Sequence, residues 1–150
     1  MKRIEEIWMR RTVREYARAG AVTPAHMQLF FEAAGRAPSA FNAQPWRFWY
    51  AQSGTQEWEL LRELLLPGNI EWAVNADWLV LVGADVLHEH NGKQLANPSA
   101  AFDAGAACLA FSLQVTASGF GCATVGGFSH KKAAALINKS NIQPLFSPWR

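Results

Sequence analysis

The sequence has little of what marks secreted, metal-binding or nucleic-acid-binding proteins. It has two cysteines, Cys108 and Cys122, and they form neither a Cys-x-x-Cys motif nor a metal-binding spacing. Both are expected to be free thiols in a reducing compartment. The formal net charge is +2, and no long run of lysine or arginine occurs. This small charge argues against a nucleic-acid partner.

Targeting and membrane-spanning segments are missing as well. Charged residues interrupt every early apolar stretch, at positions Glu5, Glu6, Arg10 and Arg11, so we expect no signal peptide. The apolar runs are shorter than the roughly 20 residues with which a helix crosses a bilayer. These absences predict a cytoplasmic protein without a membrane partner.

Common catalytic and nucleotide-binding motifs are also absent. There is no Gly-x-Gly-x-x-Gly fingerprint, no Walker loop and no Gly-x-Ser-x-Gly elbow. His88 and His90 stand two positions apart, but no third ligand follows at a suitable spacing. The sequence therefore predicts neither a metal centre nor a Rossmann-type dinucleotide site.

The composition indicates one globular domain over residues 1–150. Half of the residues are hydrophobic and 17% are charged, which is typical of a chain that buries a real core. Seven tryptophans and nine phenylalanines are many for this length. They indicate a large core, a subunit interface or an aromatic ligand site.

Helical and extended patterns alternate along the chain. Helical spacing is found in residues 3–9, 24–34, 56–66, 99–118 and 131–138. Extended runs cover residues 47–50, 78–82 and 123–128, and the run at 78–82 is apolar enough for a buried strand. Residues 84–98 are polar and are predicted as a loop. The pattern predicts an α+β or α/β fold with a small central sheet.

The longest predicted helix, residues 99–118, has two distinct faces. One face follows the helical i, i+4, i+7 spacing with Phe102, Ala106, Leu109, Leu113 and Thr116. A second face consists of small residues, Ala101, Ala104, Gly105, Cys108 and Ser112. Small residues let another helix approach closely, either within the chain or in a second subunit.

A cluster of basic residues, the basic segment (residues 10–14), could bind a phosphate. Arginine side chains make forked, charge-assisted hydrogen bonds to phosphate oxygens, and Thr12 adds a hydroxyl donor beside Arg10, Arg11 and Arg14. This set suits a dianionic phosphomonoester. The alternative is a solvated turn paired with nearby glutamates, Glu5, Glu6 and Glu15.

A second candidate is the proline loop (residues 37–46), with the sequence Ala-Pro-Ser-Ala-Phe-Asn-Ala-Gln-Pro-Trp. Its two prolines restrict the backbone, and polar side chains between them offer hydrogen bonds, as the rim of a ligand site needs. Gln44 is predicted to brace the loop. Farther along, Asn69 follows Pro67-Gly68, a position typical of a turn residue. The glycine pair (Gly126 and Gly127) permits positive φ and close approach of the backbone to a planar ring.

These motifs together resemble the FMN-dependent nitroreductase family. The similarity rests on the Arg-x-Thr-x-Arg element of the basic segment, the ten-residue proline loop, and Gly126-Gly127-Phe128. It extends to about residue 138. The resemblance implies an α+β nitroreductase-like fold, with a small central antiparallel or mixed sheet flanked by helices. It also implies a long central helix at a dimer interface, where two subunits share two flavin sites.

The resemblance also implies roles for single residues. Arg10 and Thr12, with Arg11 beside them, would hold the flavin phosphate. Arg14 would lie near the flavin N1/O2 edge, where a cation stabilises the reduced ring. The further cofactor-binding positions are Pro38, Ser39, Ala40, Asn42, Asn69, Gly126 and Gly127. Asn69 would bond the pyrimidine ring, and backbone N–H groups of the glycine pair would face N5 and O4.

The implied activity is a two-step exchange in a homodimer. NADH or NADPH would reduce FMN, and an electron-poor aromatic acceptor, a nitroaromatic or a quinone, would then take the electrons; no catalytic side chain and no metal are required. The chain differs from the family pattern in Ala40, where serine is frequent, in Trp72, where some members have lysine, and in a short, proline-containing end at residues 141–150. Two alternatives follow, a flavin-binding protein without turnover and a shortened, inactive dimeric interaction domain.

Overall fold

A computed structural model describes residues 2–16 and 20–139 and gives a mixed α+β architecture. The elements in these ranges are α1 (Glu5–Met9), α2 (Pro24–Ala34), a single 3₁₀ turn (Ala40–Asn42), β1 (Trp46–Gln52), α3 (Gln56–Arg62), α4 (Pro67–Ala73), β2 (Trp78–Ala84), β3 (Leu87–His90), β4 (Lys93–Ala96), α5 (Ala100–Ala117) and α6 (His130–Lys139). The predicted α+β class is confirmed. The proline-containing end at residues 141–150 lies outside the described residues.

The central sheet is small and antiparallel, as predicted. β1 pairs with β2 in a register that runs from Trp46 opposite Ala84 to Gln52 opposite Trp78. A separate hairpin joins β3 to β4. The prediction of a fully buried strand at residues 78–82 was wrong, because every residue of β2 is only half buried.

The main core lies between α2, α5 and the central sheet. It contains Met27, Phe30, Phe31, Ala34, Trp46, Phe48, Ala104, Ala107 and Val115. The small side chains of Ala104 and Ala107 leave room for the aromatic rings of α2, and these rings contact Phe48 and Phe111. The predicted small face of α5 is thus only partly used for packing within the chain, because Ala104 is buried whereas Ala101 and Gly105 are exposed.

On the side of α5 that points away from α2, large apolar side chains are exposed. Phe102 is 81% and Leu109 is 54% exposed, so the face with helical apolar spacing is not the face that the core covers. The apolar spacing does not identify the buried face. α5 contacts α2 through Ala104 and Ala107, because their small side chains allow the two helices to approach closely. Among the described residues, α5 alone is long and apolar enough to span a membrane, but it packs on α2 and both strands of the sheet, as a core helix does.

Local sequence signals set several helix ends as predicted. Thr23 caps α2 in a reciprocal pair with His26, and Pro24 occupies the first turn. α5 ends where Gly119 adopts a φ of 81°. The N–H of Phe120 then donates to the carbonyl of Val115 at 3.1 Å, which is the closing bond of a Schellman motif.

The region predicted as one helix at residues 56–66 contains a break. α3 ends at Arg62, and Pro67 starts a second helix, α4, rather than ending the first. Proline suits a first helical turn because its φ is already helical and its missing N–H has no partner there. Asn69 therefore lies in a helix and not in a turn.

Two further predictions were wrong. Residues 84–98, predicted as a loop, contain the β3–β4 hairpin, which turns at Asn91 and Gly92 with φ of 51° and 72°; Asn-Gly is the typical pair for such a turn. Residues 123–128, predicted as a strand, lie between two isolated bridges, Thr12 with Cys122 and Leu65 with Phe128. In the described part of the chain no neighbouring strand extends either bridge into a ladder.

Candidate functional site

The basic segment lies against the residues that follow α5. Thr12 forms a parallel bridge with Cys122, and the N–H of Val13 donates to the carbonyl of Cys122 at 3.3 Å. A Cβ added to Gly121 would come within 2.7 Å of Cγ2 of Val13, so this close approach requires glycine. The contact brings the basic segment to the carboxyl end of α5.

The arginines of this segment have no acidic partner in the described ranges. The ion pairs there join Arg3 to Glu5, Arg47 to Asp85 and Arg62 to Glu59. Arg11 instead donates to the backbone carbonyls of Trp8 and Arg10, at 2.6 and 2.9 Å. The alternative of a basic turn paired with Glu5, Glu6 and Glu15 is therefore not what the structure contains, and the guanidinium groups of Arg10 and Arg14 remain able to bind an anion.

Asn69 and the glycine pair, 58 residues apart, are in direct contact. Nδ2 of Asn69 donates to the carbonyl of Gly127 at 2.9 Å, and the N–H of Leu66 donates to the same oxygen at 2.9 Å. A Cβ on Gly127 would overlap Nδ2 of Asn69. Neither Gly126 nor Gly127 has a positive φ, and the space that a Cβ of Gly127 would fill is occupied by the side-chain amide of Asn69.

The backbone N–H groups of the glycine pair complete this part of the site. In the described part of the chain, neither the N–H of Gly126 nor that of Gly127 donates a hydrogen bond. Two adjacent donors without a protein partner are suited to an acceptor on a ligand. They lie beside Asn69, which gives this cluster three neighbouring polar groups.

Tyr16 links the basic segment to α4. Its ring lies 6.1 Å from that of Trp72, centroid to centroid. Burial, followed by the nearby Cys122, raises the pKa of Tyr16 to about 12. The basic segment, α4 and residues 121–128 thus meet at one end of α5.

A cavity of about 570 Å³ lies between the central sheet and this cluster. Its walls are mainly apolar and include Tyr16, Trp72, Trp78, Phe120 and Cys122. The predicted cofactor-binding residues are not among the lining residues. Three of them are neighbours of wall residues in the chain, since Arg14 precedes Glu15 and Tyr16, and Gly126 and Gly127 lie between Val125 and Phe128.

The proline loop lies at the other end of α5. The N–H of Ala40 donates to Oδ2 of Asp103, in the first turn of that helix, at 3.0 Å. At about 1.5 Å per residue, the helix between Asp103 and Ser118 measures roughly 20 Å. One chain therefore presents the predicted site residues in two groups, Arg10, Arg11, Thr12, Arg14, Asn69, Gly126 and Gly127 at one end and Pro38, Ser39, Ala40 and Asn42 at the other.

Hydrogen bonds hold the proline loop in an unfavourable backbone conformation. Phe41, Asn42 and Gln44 have φ of 54°, 54° and 45°, a region that costs non-glycine residues about 1–2 kcal/mol each. The N–H of Gln44 donates to Oγ of Ser39 at 3.0 Å, and its side-chain amide donates to Oδ1 of Asn42 at 2.9 Å. Gln44 thus braces the loop, as predicted.

Three residues that support this loop were missed in the sequence. Asp103 holds Ala40, while Arg47 donates to the carbonyl of Gln44 at 2.9 Å and pairs with Asp85. Asp103 is only 4% exposed. The available signal was a single acidic residue inside an otherwise uncharged helix, residues 100–117.

Comparisons with known proteins agree with the sequence motifs. The model of the Nitroreductase family matches residues 7–146. A solved oxidoreductase containing FMN has a TM-score of 0.85 and 29% identity, over 95% of this chain and 72% of that chain. A nitroreductase candidate from Desulfovibrio desulfuricans, solved in complex with FMN, has a TM-score of 0.73 and 25% identity, over 93% and 76%.

A third solved protein shares the fold alone. This nitroreductase family protein from Clostridium difficile 630 has a TM-score of 0.72 and 20% identity, over 95% of this chain and 78% of that chain. Among curated proteins, none matches the sequence.

Proposed function

The chain belongs to the nitroreductase family, and on that premise we propose that it is an FMN-dependent oxidoreductase that takes electrons from NAD(P)H. The observation that supports the proposal best is the meeting of the basic segment, Asn69 and the glycine pair at one end of α5. The two solved relatives at 29% and 25% identity contain FMN. Their cofactor motivates the choice of ligand for this chain.

The residues at this end of α5 fit the groups that FMN carries. Arg10 and Thr12 suit the phosphate, because forked guanidinium donors and a hydroxyl match its oxygens. Arg14 would stabilise negative charge on the reduced ring. Asn69 and the two free N–H groups of the glycine pair suit the polar edge of the ring.

Bound FMN would supply the redox chemistry, taking a hydride from NAD(P)H and passing it to an electron-poor acceptor such as a nitroaromatic or a quinone. The protein's own residues would then bind and orient, and no nucleophile is required. In the described ranges no group of three metal-ligating side chains occurs. We place the enzyme in a reducing cytoplasm, because Cys108 and Cys122 are both unpaired.

We further propose that two copies of the chain form the complete sites. The proline loop lies roughly 20 Å from the basic segment along α5, so a second subunit would supply it. The surface for that subunit would lie where α1 packs on α5. Large apolar side chains are exposed at the N-cap of α1 and on both helices: Ile4, Ile7, Trp8, Met9, Phe102 and Leu109. An exposed apolar patch of this kind is typical of a protein interface.

Flavin binding without turnover is the second candidate. Trp72 contacts Tyr16 at a position where some family members have a lysine, so it offers no positive charge. Arg14 would then be the one cation beside the ring. This alternative predicts bound FMN that NAD(P)H does not reduce.

The visible spectrum of the purified protein separates these functions. FMN is added, excess is removed, and NADPH or NADH is added without oxygen, followed by a quinone or a nitroaromatic. An oxidoreductase shows a flavin band that bleaches with the nicotinamide and returns with the acceptor. A band that never bleaches supports the second candidate, and a colourless protein that cannot be loaded contradicts both.

A further inference from the structure

Asp103 is a buried carboxylate for which the fold itself gives little reason. It is 4% exposed on α5, and the same face of the helix is otherwise formed by Ala100, Ala104 and Ala107. Burying a carboxylate is costly unless hydrogen bonds compensate for lost water. In the described part of the chain, its side chain accepts one hydrogen bond, from the N–H of Ala40.

That bond acts on the most unfavourable backbone in the structure. Of the four non-glycine residues with positive φ in the described ranges, three lie within four positions after Ala40: Phe41, Asn42 and Gln44. Such backbone persists only where surrounding contacts hold it, and it is concentrated at functional sites. Asp103 supplies the charged contact at the start of this turn, while Ser39 and Arg47 hold its other end.

We propose that Asp103 is a positioning residue, which orients the proline loop for the bound cofactor. This inference rests on the proposed function, because the proline loop is assigned there to an FMN site. The charge-assisted hydrogen bond that the N–H of Ala40 donates to this buried carboxylate sets the backbone of Ala40, and through it the direction of Ser39 and Asn42. A loop that is already ordered binds its ligand without the entropic cost of ordering it.

Two measurements on the full-length chain test this role. The first is the Kd for FMN of Asp103→Ala, Asp103→Asn and the control Ser112→Ala. Ser112 is a matched residue, because it is buried in α5 and its hydroxyl donates to the carbonyl of Cys108 at 2.8 Å, away from the loop. The second is the hydrogen-exchange rate of the Ala40 amide in FMN-free protein.

We expect Asp103→Ala to raise the Kd for FMN about 10- to 100-fold, the range that corresponds to loss of a hydrogen bond to a charged group. The Ala40 amide should also exchange faster. Asp103→Asn keeps an oxygen that can accept the bond, so it should restore most of the affinity and the protection. Ser112→Ala should lower Tm without changing either readout.

The proposal is overturned if Asp103→Ala and the control Ser112→Ala have the same Kd for FMN and the same exchange rate of the Ala40 amide. Asp103 would then have a structural role only. If Asp103→Ala does not fold, Asp103→Asn decides: a fast-exchanging Ala40 amide in that folded variant contradicts the positioning role. If the unmutated chain does not bind FMN, the proposed function fails. The exchange rate of Ala40 still tests whether Asp103 orders the loop.

Discussion

At the scale of single residues, the candidate site depends on close contacts that larger side chains would prevent. Gly127 leaves room for the amide of Asn69, and Gly121 leaves room for Val13. The basic side chains beside them, Arg10 and Arg14, have no acidic partner within residues 2–16 and 20–139. These local features are consistent with a ligand that brings its own negative charge.

Replacing Gly127 by alanine should destabilise the protein by about 1 kcal/mol, because the new Cβ displaces the Asn69 amide and breaks its half-buried hydrogen bond to the Gly127 carbonyl. Gly126→Ala is the matched control for stability, since its Cβ would meet no atom within 4 Å. Urea unfolding of the two variants measures the difference. Equal stability would show that the Asn69 contact does not constrain Gly127.

Arg10→Ala should weaken FMN binding about tenfold or more, because a charge-assisted hydrogen bond to phosphate is lost. Arg36→Ala, an exposed arginine beyond the end of α2, removes the same charge at a position outside the basic segment. Fluorescence titration with FMN and with riboflavin, which has no phosphate, gives the comparison. The effect of Arg10→Ala should disappear with riboflavin, and a similar loss with both ligands would rule out a phosphate contact.

Tyr16 should make the protein less stable at high pH. Its pKa in the folded protein is about 12, against an ordinary value of 10.0, so the folded state keeps a proton that the unfolded state loses. Its contribution to stability is complete below pH 10 and is lost as the pH rises towards 12. Tyr16→Phe removes the titrating group, and its unfolding free energy should fall less between these two pH values. Parallel curves would contradict the assignment.

At the scale of secondary structure elements, α5 organises the molecule. Its buried alanines, Ala104 and Ala107, pack on α2, its amino end holds the proline loop through Asp103, and the residues after its carboxyl end hold the basic segment. The helix therefore sets the distance between the two groups of predicted site residues.

Ala107→Leu should destabilise the chain by about 1–3 kcal/mol, because Ala107 is fully buried against α2 and extra methylene groups overpack that contact. Ala117→Leu, at the exposed last residue of α5, should be close to neutral. Thermal unfolding of both variants distinguishes them. If Ala107→Leu is as stable as Ala117→Leu, the close packing of the two helices is not what holds this layer together.

At the scale of the whole molecule, one chain contains each part of the proposed site but keeps two of the parts at opposite ends of a helix. A symmetric pair of chains resolves this, because each subunit would give its proline loop to the other's basic segment. Exposed apolar residues on α1 and α5 provide a surface for such a pair.

If two chains form the proposed dimer, Leu109→Glu should convert it to monomers and reduce FMN binding with it, because a carboxylate would be buried at the interface. Leu29→Glu is the control, since Leu29 is similarly exposed, on α2. Analytical ultracentrifugation with FMN present measures both effects. A Leu109→Glu monomer that still binds FMN as tightly would show that one chain forms the whole site.

The sequence by itself determined the local features that depend only on residues a few positions apart, such as helix ends and tight turns. The cap at Thr23 and the Schellman end at Gly119 belong to this class, as does the Asn-Gly turn that closes the hairpin. The family could be identified from linear motifs, and its fold followed. The cofactor-binding roles of the site residues remain predictions.

The tertiary structure alone decided which face of α5 is buried, that Asn69 contacts Gly127, and that Asp103 contacts Ala40. The last two contacts join residues 58 and 63 positions apart, and their formation depends on how helices and sheet pack. Apolar periodicity could not select the buried face, because Phe102 and Leu109 are more hydrophobic than the alanines that fit against α2. Close packing between two helices is a property of both surfaces, and a single helix sequence specifies only one of them.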